Sequence, residues 1–435
     1  MAEKKQKRKR VDNENGDAGE HNELLALAAN PEEAMNLVVF LRDRTGVHFS
    51  LEEAYLTRTD SLLHLVIHEQ GLPAEAHNVF SLWLVSPLMD IRLKKQHNPF
   101  DVVQKWDELC ARYTDATNDE IHESEPVLMV QRDVFFRKEQ EQHIQNEQIL
   151  CLLYQEAKYN VVEGRYVLHS EDYHYLAGIQ ALIHLGSFDP QQHILADYRA
   201  NLVQFYPEHM FCQSRFAMFS LNSTQPPPCE ELFMDAHRKA SEELQHIASS
   251  DSVAQLYRKY LELLWTYPFY GGAFFSGIVE AKMPKWRRVL LPSQDFRVNI
   301  CINTDGITLF NKEKCEFLLY VPYSQLSWRY QDLEWDGDSD PPPTLMLQFL
   351  CNEQCDEAPG QPVTKLLQIY SREAKLMDAL IETCVKRKLE LQKLGGDTDL
   401  VDGGLSDAAE KKILNKLEKL CLETYTVEGD QLESS

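Results

Sequence analysis

His64 and His68 stand four residues apart in "SLLHLVIHEQ", a separation that sets two imidazoles on one helix face, as metal sites require. The zinc-protease signature also needs a glutamate after the first histidine. Leu65 stands there instead, so an exposed or rim role is favoured and no metal is expected. Cys351 and Cys355 are the one close pair among 10 cysteines, and no second pair follows at ligand spacing. Reduced, mostly buried thiols are the expectation. A third group is "KMPKWRR", where Lys282, Lys285, Arg287 and Arg288 surround Trp286. Beside anionic headgroups each such charge is worth about 1 kcal/mol, and an indole favours the membrane interface. A solvated loop whose tryptophan folds back onto its own lobe explains the same residues, and both readings stand. Lys94 and Lys95 would add charge to that surface if the fold presents them together.

Other chemistry is missing from the sequence as local motif. There is no Walker loop, dinucleotide fingerprint, nucleophile elbow, zincin motif or kinase set, so an enzyme and a cofactor are not expected. A net charge of -24 argues against nucleic acid as a partner. No apolar run approaches the roughly 18 residues of a membrane span, and no apolar signal core follows the polar N-terminus. A cytosolic location is expected. The run "KKQKRKR", Lys4 to Arg10, reads first as solvated charge, with nuclear import or lipid attachment as the alternatives.

The chain of 435 residues exceeds the roughly 250 to 300 at which one core stops growing, so two or more domains must carry these groups. Residues 1–34 hold nothing that builds a core and read as a disordered leader. Over 35–136, Leu37, Val39 and Leu41 alternate into the turn "DRTG", and Val47, Phe49 and Leu51 alternate out of it, which predicts a hairpin. An amphipathic helix follows, capped by Thr57 and Thr59, carrying Leu62, Leu63, Val66 and Ile67, and stopped by Gly71 and Pro73. Two strand-like runs, a turn-like "NPFDVVQKWDELC" and a last strand ending at Phe136 complete the order of a ubiquitin-like lobe. Residues 137–265 read as helices: one with Ile149, Leu152, Leu153 and Ala157 on a face, one capped by Ser170, one from Pro190 to about Tyr206, then further helices from Cys229 through Trp265 after a break at "QPPP". Strands return over 266–391, closed by a helix from Arg372 to about Leu391 whose apolar face is Leu376, Met377, Leu380, Ile381, Cys384, Val385 and Leu389. Residues 392–435 read as a linker and an amphipathic helix, with Ser406 as cap and Ile413, Leu414, Leu417, Leu420 and Cys421 as its stripe.

The junction "YRKYLELLWTYPFYGGAFFSG" resembles that of a FERM domain, where the last helix of a helical lobe gives way through a tyrosine and glycine turn to the first strand of a pleckstrin-homology-like lobe. Pro268 stops the helix, Gly271 and Gly272 admit backbone angles closed to other residues, and the stretch reads as a hinge between modules. The resemblance runs from about Met35 to Leu391 and implies an α+β, three-lobed fold: a ubiquitin-like lobe, a helical acyl-CoA-binding-protein-like lobe and a lobe like phosphotyrosine-binding domains. Within the family, "VFSLWLVSPLMDIRLKKQHNPF", "NEQILCLLYQEAKYNV" and "VTKLLQIYSREAKLMDALIE" are most similar to the adaptors that bind iRhom tails. That likeness implies binding of the cytosolic tails of iRhom pseudoproteases, in support of an ADAM-family sheddase at the plasma membrane. It also implies binding of LRP-type Wnt co-receptor tails and damping of that signal. The alternative is a phosphoinositide-dependent membrane scaffold without the iRhom link. In lobes of the third kind the groove between the fifth strand and the closing helix accepts an extended peptide. By motif order Ser327, Trp328, Arg329 and Tyr330 would supply its edge, and the exposed members among Met377, Leu380 and Ile381 its opposite wall. Ordinary core is the other reading of those apolar residues.

Overall fold

The computed structural model describes residues 35–43, 45–51, 54–211, 227–244, 253–280, 295–332, 343–351, 354–355, 358–359, 363–393, 423–425 and 431–432. The basic leader, the 282–288 cluster and the stripe of the tail helix lie outside them. The described residues fall into two compact units, one within 1–159 and 246–261, the other within 160–245 and 262–435.

In the first unit, strands β1 (Met35–Phe40) and β2 (Gly46–Leu51) form the hairpin the alternation predicts, and Asp43 Oδ1 accepts the Thr45 N–H at 2.9 Å across its turn. Helix α1 (Thr59–Glu69) and the single turn α2 (Ala76–Val79) lead into β3 (Phe80–Val85) and β4 (Asp90–Arg92). Strand β5 (Val127–Arg132) completes the sheet order β2-β1-β5-β3-β4, in which β1 and β5 run parallel and the other pairs antiparallel. Leu62, Leu63, Val66 and Ile67 of α1 are buried, as are Leu37, Val39, Leu82, Leu84 and Leu128 of the sheet.

Two local expectations are corrected here. The α1 cap is Arg58, without a side-chain bond, while Thr59 donates its hydroxyl to the His97 carbonyl at 3.0 Å. The "NPFDVVQKWDELC" stretch is helical at Pro99–Val103 and Trp106–Tyr113, because Asn98 Oδ1 accepts the Phe100 N–H and Phe100, Val103, Trp106 and Cys110 are buried at helical spacing. At the far end of α1 the chain stops as predicted. Gly71 takes φ 63°, its N–H donates to the His68 carbonyl, and Leu72 N–H donates to the Ile67 carbonyl, both at 3.0 Å. This is a Schellman stop, and it turns the chain back toward α1.

The helical stretch comprises α3 (Glu147–Val162), α4 (Ser170–Leu185), α5 (Leu195–Phe205), α6 (Cys229–Glu243) and α7 (Ala254–Trp265). Here the cap of α4 is His169 rather than Ser170, and α5 begins five residues after Pro190 because Asp189 closes the intervening turn on Gln191, Gln192 and His193. Among the described residues the 229–265 run comprises α6 and α7. In the second unit α4 and α6 pack closely, since a Cβ on Gly178 would lie 2.5 Å from the Ala236 carbonyl oxygen.

The rest of the second unit is a sheet built from β6 (Ala273–Glu280), β7 (Asp295–Ile302), β8 (Gly306–Asn311), β9 (Glu316–Pro322), β10 (Leu326–Gln331), β11 (Thr344–Cys351) and, after the short pair β12 (Gln354–Cys355) and β13 (Ala358–Pro359), β14 (Val363–Tyr370). Its order is β10-β11-β14-β6-β7-β8-β9, all antiparallel. Helix α8 (Ala374–Lys393) closes it, and of two tail strands β15 (Glu423–Tyr425) pairs with Thr364 to Leu366 of β14 and β16 (Gln431–Leu432) pairs with β15. No helix among the described residues is long and apolar enough to cross a membrane.

Candidate functional site

Strand β10 and helix α8 face each other at one end of the second sheet. β10 pairs with β11 along its whole length from Leu326↔Phe349 to Gln331↔Thr344, and it is the terminal strand of its sheet among the described residues. A terminal strand keeps one row of main-chain donors and acceptors available for an added strand. Successive side chains alternate in exposure: Ser327 and Arg329 are exposed, Trp328 and Tyr330 half-buried against the core.

The helix presents its own two sides. Ala374, Met377, Ile381 and Cys384 recur at helical spacing, and the first three have no exposure at all, so Met377 and Ile381 belong to the core and offer no groove wall. Leu380 and Val385 flank that stripe and stay half-buried. Trp328 Nε1–H donates to Asp378 Oδ1 at 2.9 Å, a bond that joins strand to helix beside the open edge. Sequence reasoning misses Asp378, because one acid on a charged helix carries no periodic signal. The start of α8 is pinned to β6: Ser276 N–H donates to Glu373 Oε2 at 2.8 Å, and Ser371 Oγ donates to the Ser276 carbonyl at 2.6 Å.

The "PFYGG" turn lies in the same unit. Asn303 Nδ2 donates to the Pro268 and Tyr270 carbonyls at 2.7 and 3.1 Å, while its Oδ1 accepts the N–H groups of Asp305 and Gly306. Gly271 takes φ 69° and donates its N–H to the Tyr166 hydroxyl at 3.1 Å. A Cβ at Gly272 would sit 2.3 Å from Cys301 Sγ, and burial pushes that thiol's pKa up. Tyr166 contacts the rings of Phe269, Tyr270 and Phe274. The turn is therefore tied by side-chain and main-chain bonds on each flank. Tyr323, half-buried with its pKa raised by desolvation, donates to the Asn303 carbonyl at 2.7 Å and extends this network toward β10.

The histidine pair of the first unit separates. His68 is exposed and faces Glu69 at 3.6 Å, whereas His64 stacks on His77 with ring centroids 3.9 Å apart. Lys95 pairs with Asp60 at 3.4 Å, and Lys94 is exposed. The cationic group Lys282, Lys285, Trp286, Arg287 and Arg288 falls outside the described residues.

Comparison with known proteins agrees with this architecture. A family model described as FERM central domain matches residues 139–275, and one described as KRIT1/FRMD8, FERM domain C-lobe matches residues 296–380. A human protein named FERM domain-containing protein 8 is 33% identical over 384 residues, covering 86% of this chain and 78% of its own. The Xenopus tropicalis protein of that name is 30% identical over 372 residues, covering 81% and 76%. Among solved structures, the FERM and C-terminal domain complex of Drosophila Merlin aligns with a TM-score of 0.50 at 12% identity, over 83% of this chain and 98% of that one. The human Myosin 7b C-terminal MyTH4-FERM domain, solved with the harmonin-a PDZ3 domain, aligns with a TM-score of 0.52 at 14% identity, over 82% of this chain and 61% of that one. The α+β class with a three-lobed FERM fold, expected from the sequence, is the one these neighbours share.

Proposed function

Since the chain belongs to the FERM domain-containing protein 8 family, we propose that it is a non-enzymatic adaptor that holds the cytosolic tail of a membrane protein between β10 and α8. The observation that carries this reading is the terminal position of β10 beside a helix. An extended tail adds as a further strand, its main chain bonding to the β10 edge and alternate side chains resting on Trp328, Tyr330 and Leu380. Through the family likeness, the tails are those of iRhom pseudoproteases, in support of an ADAM sheddase, and of LRP-type Wnt co-receptors. The protein then works at the cytosolic face of the plasma membrane, with anionic headgroups as a second contact through the 282–288 cluster.

The groove is tested with labelled iRhom-tail peptide titrated into wild type, Leu380→Glu and Trp328→Ala, each checked for its fold by circular dichroism. Val203→Glu, at an exposed site on α5, serves as the control. The expected result is binding by wild type and control, and a loss of about tenfold or more in both groove variants, the equivalent of 1.4 kcal/mol. Equal binding by all four proteins moves the site elsewhere. No binding by any, together with capture on phosphoinositide vesicles that falls with salt, favours the membrane scaffold instead. Ile381→Glu is unsuitable for this purpose because it places a charge in the core.

A further inference from the structure

The first unit gathers one carboxylate and two imidazoles where the sequence offers only a pair of histidines. Asp60 and His64 lie four apart on α1, and the Gly71 stop returns the chain so that α2 sets His77 over His64. His77 Nε2 is 2.9 Å from Asp60 Oδ1, and one ligand atom from each of the three residues lies within 4.8 Å of the others. We propose that Asp60, His64 and His77 form a binding site for a zinc-class divalent cation, with a coordination position left open to solvent.

The donor set decides the class of ion. Two imidazoles and one carboxylate suit zinc and its transition-metal neighbours, whereas magnesium and calcium prefer sites made of oxygen alone. Zinc bonds of about 2.0 to 2.2 Å in a tetrahedron space the ligand atoms by about 3.4 Å, and because imidazole lone pairs lie in the ring planes, the exposed His64 ring swings out of its stack on His77 for both rings to face one ion. His64 keeps Nδ1 2.8 Å from the Asp60 carbonyl oxygen, the kind of main-chain contact that orients metal-binding imidazoles. His64 is 60% exposed at its side chain and Asp60 39%, which leaves the outer side accessible to water or to a partner's ligand. The local competitor is the Lys95 ammonium, 3.4 Å from Asp60 Oδ1. Its side chain is 57% exposed and free to swing away, so zinc and Lys95 exchange for one carboxylate.

The test is a zinc titration of the full chain at pH 7.5, buffered by a chelator, counting bound equivalents with a competing dye. Wild type is compared with His64→Gln, His77→Gln and Lys95→Met. Each histidine variant should lose one equivalent or bind it at least about tenfold more weakly. Lys95→Met should retain the equivalent and bind it several-fold more tightly, an effect that zinc held elsewhere by other histidines or thiols would not show. The same stoichiometry and affinity in wild type and the histidine variants overturns the site, as does a Lys95→Met chain that binds no more tightly than wild type. Should His77→Gln fail to fold, His64→Gln decides alone, since its ring is exposed.

Discussion

His237 has no exposed surface, and its ring is bonded on both sides. Tyr198 hydroxyl lies 2.7 Å from Nδ1 and the Gly186 carbonyl 2.8 Å from Nε2, so the neutral ring carries its proton on Nε2 and Nδ1 accepts from the tyrosine. Burial holds the His237 pKa below its ordinary value of 6.5, against the raising effect of the Gly186 bond, and pushes the Tyr198 hydroxyl up to about 12. For a base depressed in the folded state, the folded form binds fewer protons than the unfolded one. Its contribution to stability is complete above about pH 6.5 and is lost as pH falls through the lower folded pKa. The urea midpoint of the wild type should therefore drop between pH 7.5 and 5. His237→Gln, which can keep both bonds without titrating, should show a smaller drop, though His174 and His209, also depressed by burial, retain their share. An equal drop in both proteins would remove His237 from the account. At this scale the sequence was legible where a residue's role follows from its neighbours in the chain, as with Gly71 as a stop. Asp378 and His77 act on partners 50 and 13 positions away, across a strand-to-helix contact and a chain reversal that local spacing does not encode.

Glycines separate what an element needs from what its packing needs. Gly71 ends α1 at positive φ with nothing within 4 Å of the point where a Cβ would stand, so Gly71→Ala meets only the left-handed backbone and should cost about 1 kcal/mol. Gly178 lies inside α4 in ordinary helical backbone, where alanine would by itself favour the helix by about 1 kcal/mol. Its added Cβ would meet the Ala236 carbonyl oxygen at 2.5 Å and the carbonyl carbon at 2.9 Å, atoms of the α6 backbone that cannot rotate away. Separating the two helices should outweigh the propensity gain and leave Gly178→Ala about 2 kcal/mol less stable than wild type in urea denaturation. A variant as stable as wild type would show that α4 and α6 do not pack at this distance. Strands and helices with strong periodicity were legible from the sequence, as with β1, β2, α1 and α8. The buried run Phe100, Val103, Trp106 and Cys110 had the same helical spacing but was hidden by the turn-forming "NP" before it, whose asparagine proves to be the cap.

For the molecule as a whole, periodicity marks where elements change type but not which elements share contacts. The first compact unit includes residues 253–261, about ninety positions beyond α3, and those residues supply part of its core. Tyr154 of α3 is fully buried, stacking on Tyr257 with centroids 4.8 Å apart and meeting Tyr260 edge-on at 5.0 Å. Arg258 donates to the Gln142 carbonyl at 2.9 Å and to that of Ile144, and Leu261 has no exposure. A fragment ending at Tyr159 would expose this aromatic face and leave two loop carbonyls without their guanidinium. Each buried aromatic so uncovered removes about 3 kcal/mol or more from a domain whose total is typically about 5 to 15 kcal/mol. A fragment of residues 35–159 should therefore bind a hydrophobic dye and lack a cooperative thermal transition, and adding a peptide of residues 246–262 should suppress the dye signal and restore the transition. If the fragment alone melts cooperatively without the dye, the returning helix is dispensable to that core, and the five-stranded sheet with α1 is sufficient to fold.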